Sequence, residues 1–171
     1  MRSAQRRKIG LNMDYNLRIH SIVQESIVDG PGIRMAVFVQ GCPHRCPGCH
    51  NPQTHDFNGG HLVSVSSVFE QYKENPLLRG ITFTGGEPFC QAEALVELGR
   101  LVRQFGGTVI TYTGYLYEDL LEMAKDQPEI GNLLSISDWL IDGPYIESLR
   151  SLELDFRGSS NQRIIRREEI T

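Results

Sequence analysis

The sequence predicts an α/β fold in which strand–helix units wind around a mainly parallel sheet. Three observations predict it. Short β-branched, apolar runs alternate with stretches whose apolar residues recur at helical spacing. A loop carrying glycine, or cysteine with glycine, directly follows each of these runs. The 171 residues, 40% of them hydrophobic, suffice for one domain that buries roughly 70% of the surface its unfolded chain exposes, with no need of disulfides.

Each element has its own signal. Residues 33–40 are β-branched and apolar enough for a buried first strand, which runs straight into a cysteine-rich loop. Val65, Val68, Phe69 and Tyr72 mark one helix face, with Ser64 as N-cap and Pro76 beyond the end. Residues 81–84 form a second strand, broken by Gly85-Gly86-Glu87-Pro88. Leu95, Leu98, Val102 and Phe105 line a second helix that Gly106-Gly107 stops. Residues 108–112 are a third strand, Leu116, Leu120 and Met123 indicate a third helix, and residues 136–141 a fourth strand. Ligands of a parallel α/β sheet bind at the C-terminal strand ends. Cys42, Gly85-Gly86, Thr113-Gly114 and Asp142-Gly143-Pro144 each follow a strand and are expected on one shared rim.

The net charge of −4 argues against a general nucleic-acid or membrane binder, but it is unevenly spread. Outside residues 1–8 and 157–171 the chain carries 9 basic against 19 acidic residues, so the body is acidic and both ends are basic. No stretch approaches the ~20 apolar residues of a membrane helix. Arg2, Arg6, Arg7 and Lys8 look like the start of a signal peptide, yet no apolar run follows them, and a cytoplasmic protein is expected. Residues 1–12 are expected to be a disordered extension ahead of a single domain over 13–171.

Three of the four cysteines, Cys42, Cys46 and Cys49, crowd into one loop, and Cys90 stands alone. Such crowding favours metal ligation over a disulfide framework. Pro43, Pro47 and Gly48 keep the loop irregular, so that three thiolates can converge. Three chemistries stay open at this point. Zinc would add His44 or His50 to make a closed tetrahedral site. Cys46-Pro47-Gly48-Cys49-His50 formally matches c-type haem attachment, which leaves Cys42 unused. An iron–sulfur cubane would take one iron on each cysteine and leave the fourth open for chemistry.

Cys42-x3-Cys46-x2-Cys49, combined with Gly85-Gly86-Glu87-Pro88 on the second strand, resembles the radical S-adenosylmethionine (SAM) enzymes. Val28-Asp29-Gly30-Pro31-Gly32-Ile33-Arg34 and Cys49-His50-Asn51-Pro52 look like the branch that activates glycyl radical enzymes. Tyr112-Thr113-Gly114-Tyr115, Ile141-Asp142-Gly143-Pro144-Tyr145 and Phe156-Arg157-Gly158-Ser159-Ser160-Asn161-Gln162-Arg163 are similar to the activating proteins of anaerobic ribonucleoside-triphosphate reductases, and the likeness runs over residues 15 to 167. The resemblance implies a partial (β/α) barrel of the TIM type, because the chain is shorter than the ~250 residues of a full one. It also implies a [4Fe-4S] cluster on Cys42, Cys46 and Cys49, with the amine and carboxylate of SAM on the open iron. Reduced flavodoxin would supply the electron. A 5′-deoxyadenosyl radical would then take hydrogen from a glycine of the reductase's large subunit, and methionine and 5′-deoxyadenosine would leave. The competing readings are an activase of a different glycyl radical enzyme and, from another class, a zinc-bound structural or interaction module.

The same resemblance brings Gly48, Cys49, His50, Gly85, Gly86 and Glu87 to SAM. Gly85 and Gly86 would let the backbone reach the methionyl amine, where a side chain would block it; a plain tight turn is the alternative. Gly48 stands where many radical SAM enzymes carry an aromatic residue, so this position cannot stack on adenine. His50 either contributes in its place or faces solvent. Glu87 is expected to support the cradle rather than transfer protons. Cys90 reads as a small buried residue at the start of the second helix, or as a thiol that tunes the cluster. Asp29 either caps its turn or faces the entering partner. Arg157, Arg163 and Arg166, with Arg167, read as a solvated tail or as docking residues for an acidic surface of the reductase. Without interleaved aromatics, RNA contact is not expected.

Overall fold

The computed structural model describes residues 15–171, so the extension expected over 1–12 lies outside the described residues. Seven strands form one sheet: β1 (Asn16–Ser26), β2 (Arg34–Val39), β3 (His61–Ser64), β4 (Gly80–Gly85), β5 (Thr108–Tyr112), β6 (Trp139–Asp142) and β7 (Arg163–Arg166). Their spatial order is β3-β1-β2-β4-β5-β6-β7. The central four, β2, β4, β5 and β6, are parallel. The flanking β1, β3 and β7 run antiparallel to their neighbours, which makes the sheet mixed and open.

Four helices, α1 (Val65–Glu74), α2 (Ala92–Gln104), α3 (Tyr117–Met123) and α4 (Pro128–Ile136), are built from the patterns that crossover connections require. Ser64 caps α1 as expected, its side chain accepting from the Ser67 N–H. Strand alternation sorts the core. Met35, Val37, Ile81, Phe83, Val109 and Leu140 belong to the cluster that α2 and α4 fill with Leu95, Leu98, Val102 and Leu133. Thr82, Thr84, Ile110 and Tyr112, at the intervening positions, point the other way, where Thr84 and Tyr112 line a cavity. Helices therefore seal one face of the sheet and leave the other for the site.

Some expectations needed correction. The fourth strand begins at Trp139, because Ile136 still belongs to α4, a helix with Pro128 in its first turn. Phe105 and Leu116, expected on buried helix faces, are 59% and 43% exposed, since each sits at a helix cap where the periodic face has already run out.

The Asp-Gly-Pro-Gly turn passes across the open face. Gly30, at φ +128°, lies so close that a Cβ there would stand 2.4 Å from Ile110 Cδ1. Behind it Arg34, 1% exposed, closes the end of the sheet opposite to the rim. Its guanidinium donates to Thr82 Oγ1, Thr108 Oγ1 and the carbonyls of Ile81 and Thr108 at 2.8–3.0 Å, and to Pro31 O at 3.5 Å. Burial pushes its pKa down to about 10, which leaves it a cation at neutral pH.

Candidate active site

The four loops that follow β2, β4, β5 and β6 meet as expected. Cys42, Gly85, Gly86, Thr113, Gly114 and Gly143 all line one open cavity of about 540 Å³, a size that suits a small-molecule ligand. Cys46, Cys49 and His50 line it as well. All four cysteines are free thiols.

The cysteine loop is held from below by backbone bonds. Gly41 and Cys42 donate to the carbonyls of Thr54 and His55, and Gln40 anchors the same turn through Gln53 O and Asp56 O. Within the loop, N–H groups are aimed at sulfur. The amides of His44 and Arg45 point at Cys42, and the Asn51 N–H lies 3.4 Å from Cys49 Sγ. Arg45 takes φ +48°, the left-handed region that non-glycine residues rarely adopt. Successive amides converging on one point form a concavity suited to an anion, and iron–sulfur sites use this arrangement. Burial pushes the Cys42 thiol up, and the amides of His44 and Arg45 partly offset this by favouring the thiolate.

Zinc fits less well. His44, one candidate for a fourth ligand, spends Nε2 on Glu87 at 2.6 Å. His50 is exposed and packs its ring 4.8 Å from Tyr145. Among the described residues no three His, Cys, Asp or Glu side chains are grouped closely enough for a single ion. In a cubane each thiolate holds a separate iron, so the three cysteines need not converge on a single ion.

Glu87 is the hub of the rim. It is 1% exposed, and its two oxygens accept from the Phe89 N–H at 3.0 Å, the Thr113 hydroxyl at 2.9 and 3.1 Å and the Gly114 N–H at 2.9 Å, besides meeting His44. Its carboxylate is turned away from the cavity toward the loops it joins, so its side chain does not reach the place expected for SAM. Gly48 also lies off the cavity wall, at φ +74°, with the Glu147 carboxylate where a Cβ would go. Gly85 and Gly86 line the cavity, and the packing behind them gives a further reason for glycine at both. A Cβ on Gly85 would sit 2.7 Å from the Phe38 Cα, and one on Gly86 2.4 Å from the Gly41 carbonyl oxygen. The glycines thus let the end of β4 dock on the root of the cysteine loop, where Gly86 and Glu87 donate to Val39 O and Gly41 O, both at 2.8 Å.

Asp29 pairs with the Ser26 hydroxyl within its turn, the first of its two expected roles, and it also lines the cavity. The basic residues separate. Arg163 is committed to Asp142 and Glu118, each through two contacts, so it is not free to dock a partner. Arg166 lies opposite Trp139, at the far end of β6 from the rim, and stands over that ring. Antiparallel β7 carries it away from the cavity. Arg157 does line the cavity; its Nη1 donates to Gln162 O, while its buried Nε has no hydrogen-bond partner.

Sequence reasoning read the arginines of segment 157–163 as a solvated tail or docking residues and did not foresee the structural task of residues 158–162 between them. Ser159 Oγ accepts from the Ile146 N–H, Asn161 donates to Pro144 O, and Gln162 bridges Gly143 O and the amides of Gly158 and Ser159. These bonds clasp an excursion between β6 and β7 whose residues 150–158 form the outer wall of the cavity. Tyr112 secures it from the sheet by donating to Phe156 O at 2.6 Å. The available signal was the density of Ser, Asn and Gln, side chains that bond locally to backbone.

The family described as a 4Fe-4S single cluster domain matches residues 28–165. An anaerobic ribonucleoside-triphosphate reductase-activating protein of Salmonella typhi is 31% identical, over 85% of this chain and 96% of that protein. Its counterpart from Enterobacteria phage T4 is 33% identical, over 80% and 86%. A pyruvate formate-lyase-activating enzyme of Clostridium pasteurianum is 40% identical over 63% of this chain, which spans about half (48%) of that relative's length. Among solved structures, QueE from Escherichia coli is similar over 58% of this chain and 52% of its own, with a TM-score of 0.47 and 18% identity. Matched over most of its length by both, the chain belongs to the 4Fe-4S single cluster domain family and, within it, to the family of anaerobic ribonucleoside-triphosphate reductase-activating proteins.

Proposed function

We propose that this protein activates an anaerobic ribonucleoside-triphosphate reductase by generating a radical on a glycine of the reductase's large subunit, with SAM and reduced flavodoxin as cosubstrates. The observation that carries the reading is the meeting of three free thiols with the Gly85-Gly86 turn in one cavity at the ends of parallel strands. The near full-length match to reductase activators favours this partner over pyruvate formate-lyase, whose activating enzyme is about twice as long as the stretch this chain matches.

Cys42, Cys46 and Cys49 would hold the cluster, with the amides of His44, Arg45 and Asn51 stabilising the negative charge on its sulfurs. When bound, the cluster and SAM supply a carbon radical strong enough to take hydrogen from a backbone glycine. The chain's own residues do the rest. Gly85 and Gly86 present bare backbone on one wall, and Tyr112 and the clasped 150–158 segment form the other. Arg157, on the cavity wall, offers the cation of its guanidinium to the carboxylate of SAM. Glu87, sealed behind the cradle, keeps the loops aligned and transfers no proton. The open face of the sheet, which would form part of a barrel wall, would receive the reductase's glycine loop.

Anaerobically purified protein should be brown and contain iron and sulfide. Mixed with SAM, reductant and the large reductase subunit, it should release 5′-deoxyadenosine and produce a glycyl radical signal in electron paramagnetic resonance. A colourless protein with one zinc per chain would discard the reading.

A further inference from the structure

We propose that His44 is a positioning residue, a latch that fixes the cysteine loop to the Gly85-Gly86 turn through Glu87. The inference rests on Cys42, Cys46 and Cys49 being the cluster ligands, as proposed above.

His44 lies midway between Cys42 and Cys46, in a loop whose prolines and glycine supply little regular backbone bonding of their own. Its Nε2 stands 2.6 Å from Glu87 Oε2. The other donors to that carboxylate come from Phe89, Thr113 and Gly114, so Glu87 is already fixed to the segments after β4 and β5. Among the described residues His44 is the one side chain of the cysteine loop that reaches it.

The surroundings are shaped to the imidazole. The Tyr115 ring meets it edge-on, with centroids 4.4 Å apart and planes at 76°. A Cβ on Gly114 would come within 2.5 Å of His44 Cδ2, so glycine at that position makes room for the ring. Three segments of the rim, after β2, after β4 and after β5, thus meet at one buried carboxylate. The consequence is geometric. The offset between the thiolates and the turn opposite them is set by a short side-chain bond to a fully buried carboxylate, and burial makes such a bond stronger than in water. A ligand bridging both would otherwise have to order the loop as it binds.

The test uses anaerobically reconstituted full-length protein and two readouts, the rate of iron loss to a ferrous chelator and the change that SAM causes in the resonance spectrum of the reduced cluster. His44→Ala should lose iron about 10- to 100-fold faster, as removal of outer-sphere partners commonly does, and should show no SAM-induced change. His44→Gln, whose amide nitrogen reaches the place of Nε2, should restore both. Gly114→Ala, which crowds the ring while leaving His44 and Glu87 in place, should fall between. Thr113→Val removes a different bond to Glu87 while leaving His44 on it, and should lose iron more slowly than His44→Ala. The proposal is overturned if His44→Ala matches wild type, if His44→Gln fails alongside it, or if Thr113→Val loses iron as fast as His44→Ala. Wild-type protein that takes up no iron and sulfide would instead overturn the cluster reading beneath it. The Gly114 and Thr113 variants keep the test decidable even where His44→Ala folds poorly.

Discussion

Two buried charges stand at opposite ends of the central strands, Glu87 at the rim and Arg34 at the floor, each 1% exposed. Both obey the same rule, that a charge removed from water must have its hydrogen-bonding capacity filled. They differ in what fills it. Arg34 bonds chiefly to hydroxyls and carbonyls of β4 and the start of β5, within regular structure, beneath a turn that leaves no opening. Glu87 collects donors from loops, which have no ladder of their own and take their mutual positions from the carboxylate. The floor uses a buried ion to hold strands together, and the rim uses one to align chemistry.

Substitution at the two charges should separate these roles. Arg34→Met leaves several acceptors without their cation and should lower unfolding free energy by about 3 kcal/mol. For a domain of this size that is a fall in melting temperature of about 6–12 °C, with iron retention unchanged in the folded protein. Glu87→Gln places amide hydrogens against N–H groups that the carboxylate oxygens now receive. It should cost about 1–3 kcal/mol, less than Arg34→Met, yet loosen iron as His44→Ala does. Thermal unfolding and chelator kinetics on both variants decide the matter; a Glu87→Gln protein with normal iron retention would erase the distinction.

A smaller effect tests the outer side of the rim, where Arg163 bridges Asp142 to Glu118. Hydrogen bonds from Arg163 hold the Glu118 carboxyl at about 2, below its ordinary 4.5. The folded state therefore favours the ionised form. Its contribution is complete above pH ~4.5 and is lost as pH falls towards 2. Glu118→Gln should flatten the fall in stability across that window and leave neutral stability little changed, because the pair is exposed. Denaturant unfolding at a series of pH values checks this, and an unaltered acid slope would show that the bridge contributes nothing.

How much of this was legible depended on which residues make the contact. The parallel strands and the shared rim could be read because apolar periodicity and glycine-bearing loops are local signals. β1 could not: its pairing with β2 shifts register between Ile19 and Ser21 and again between Val23 and Ser26, and such bulges break the two-residue alternation that marks a strand. Helix α4 was hidden because its last apolar residue, Ile136, lies only three positions before Trp139 and was read as the start of the strand. At the site, the three cysteines and the Gly-Gly turn announced themselves by spacing. The His44–Glu87 bond joins residues 43 positions apart, and nothing in either neighbourhood signals the other. The basic tail misled for a similar reason, since the partners of Arg163 belong to α3 and β6.

The smallest effect concerns the cysteine that the rim does not use. Cys90 is not on the wall of the main cavity; it lies in a separate depression with Tyr15, Glu93 and Tyr115. Although the residue is exposed, partial burial of its thiol, with Glu87 and Cys42 nearby, pushes the pKa up to about 11. At pH 8 roughly one thiol in a thousand is then ionised, and only the thiolate is nucleophilic. Iodoacetamide should therefore modify Cys90 slowly at pH 8, with a rate rising about tenfold per pH unit until pH approaches 11. Mass spectrometry of the labelled peptide follows this directly. Cys90→Ser should keep its iron and its melting temperature. Were it to lose the cluster, Cys90 would be a fourth ligand, the open iron would be closed, and the rim would belong to an electron carrier rather than to a radical enzyme.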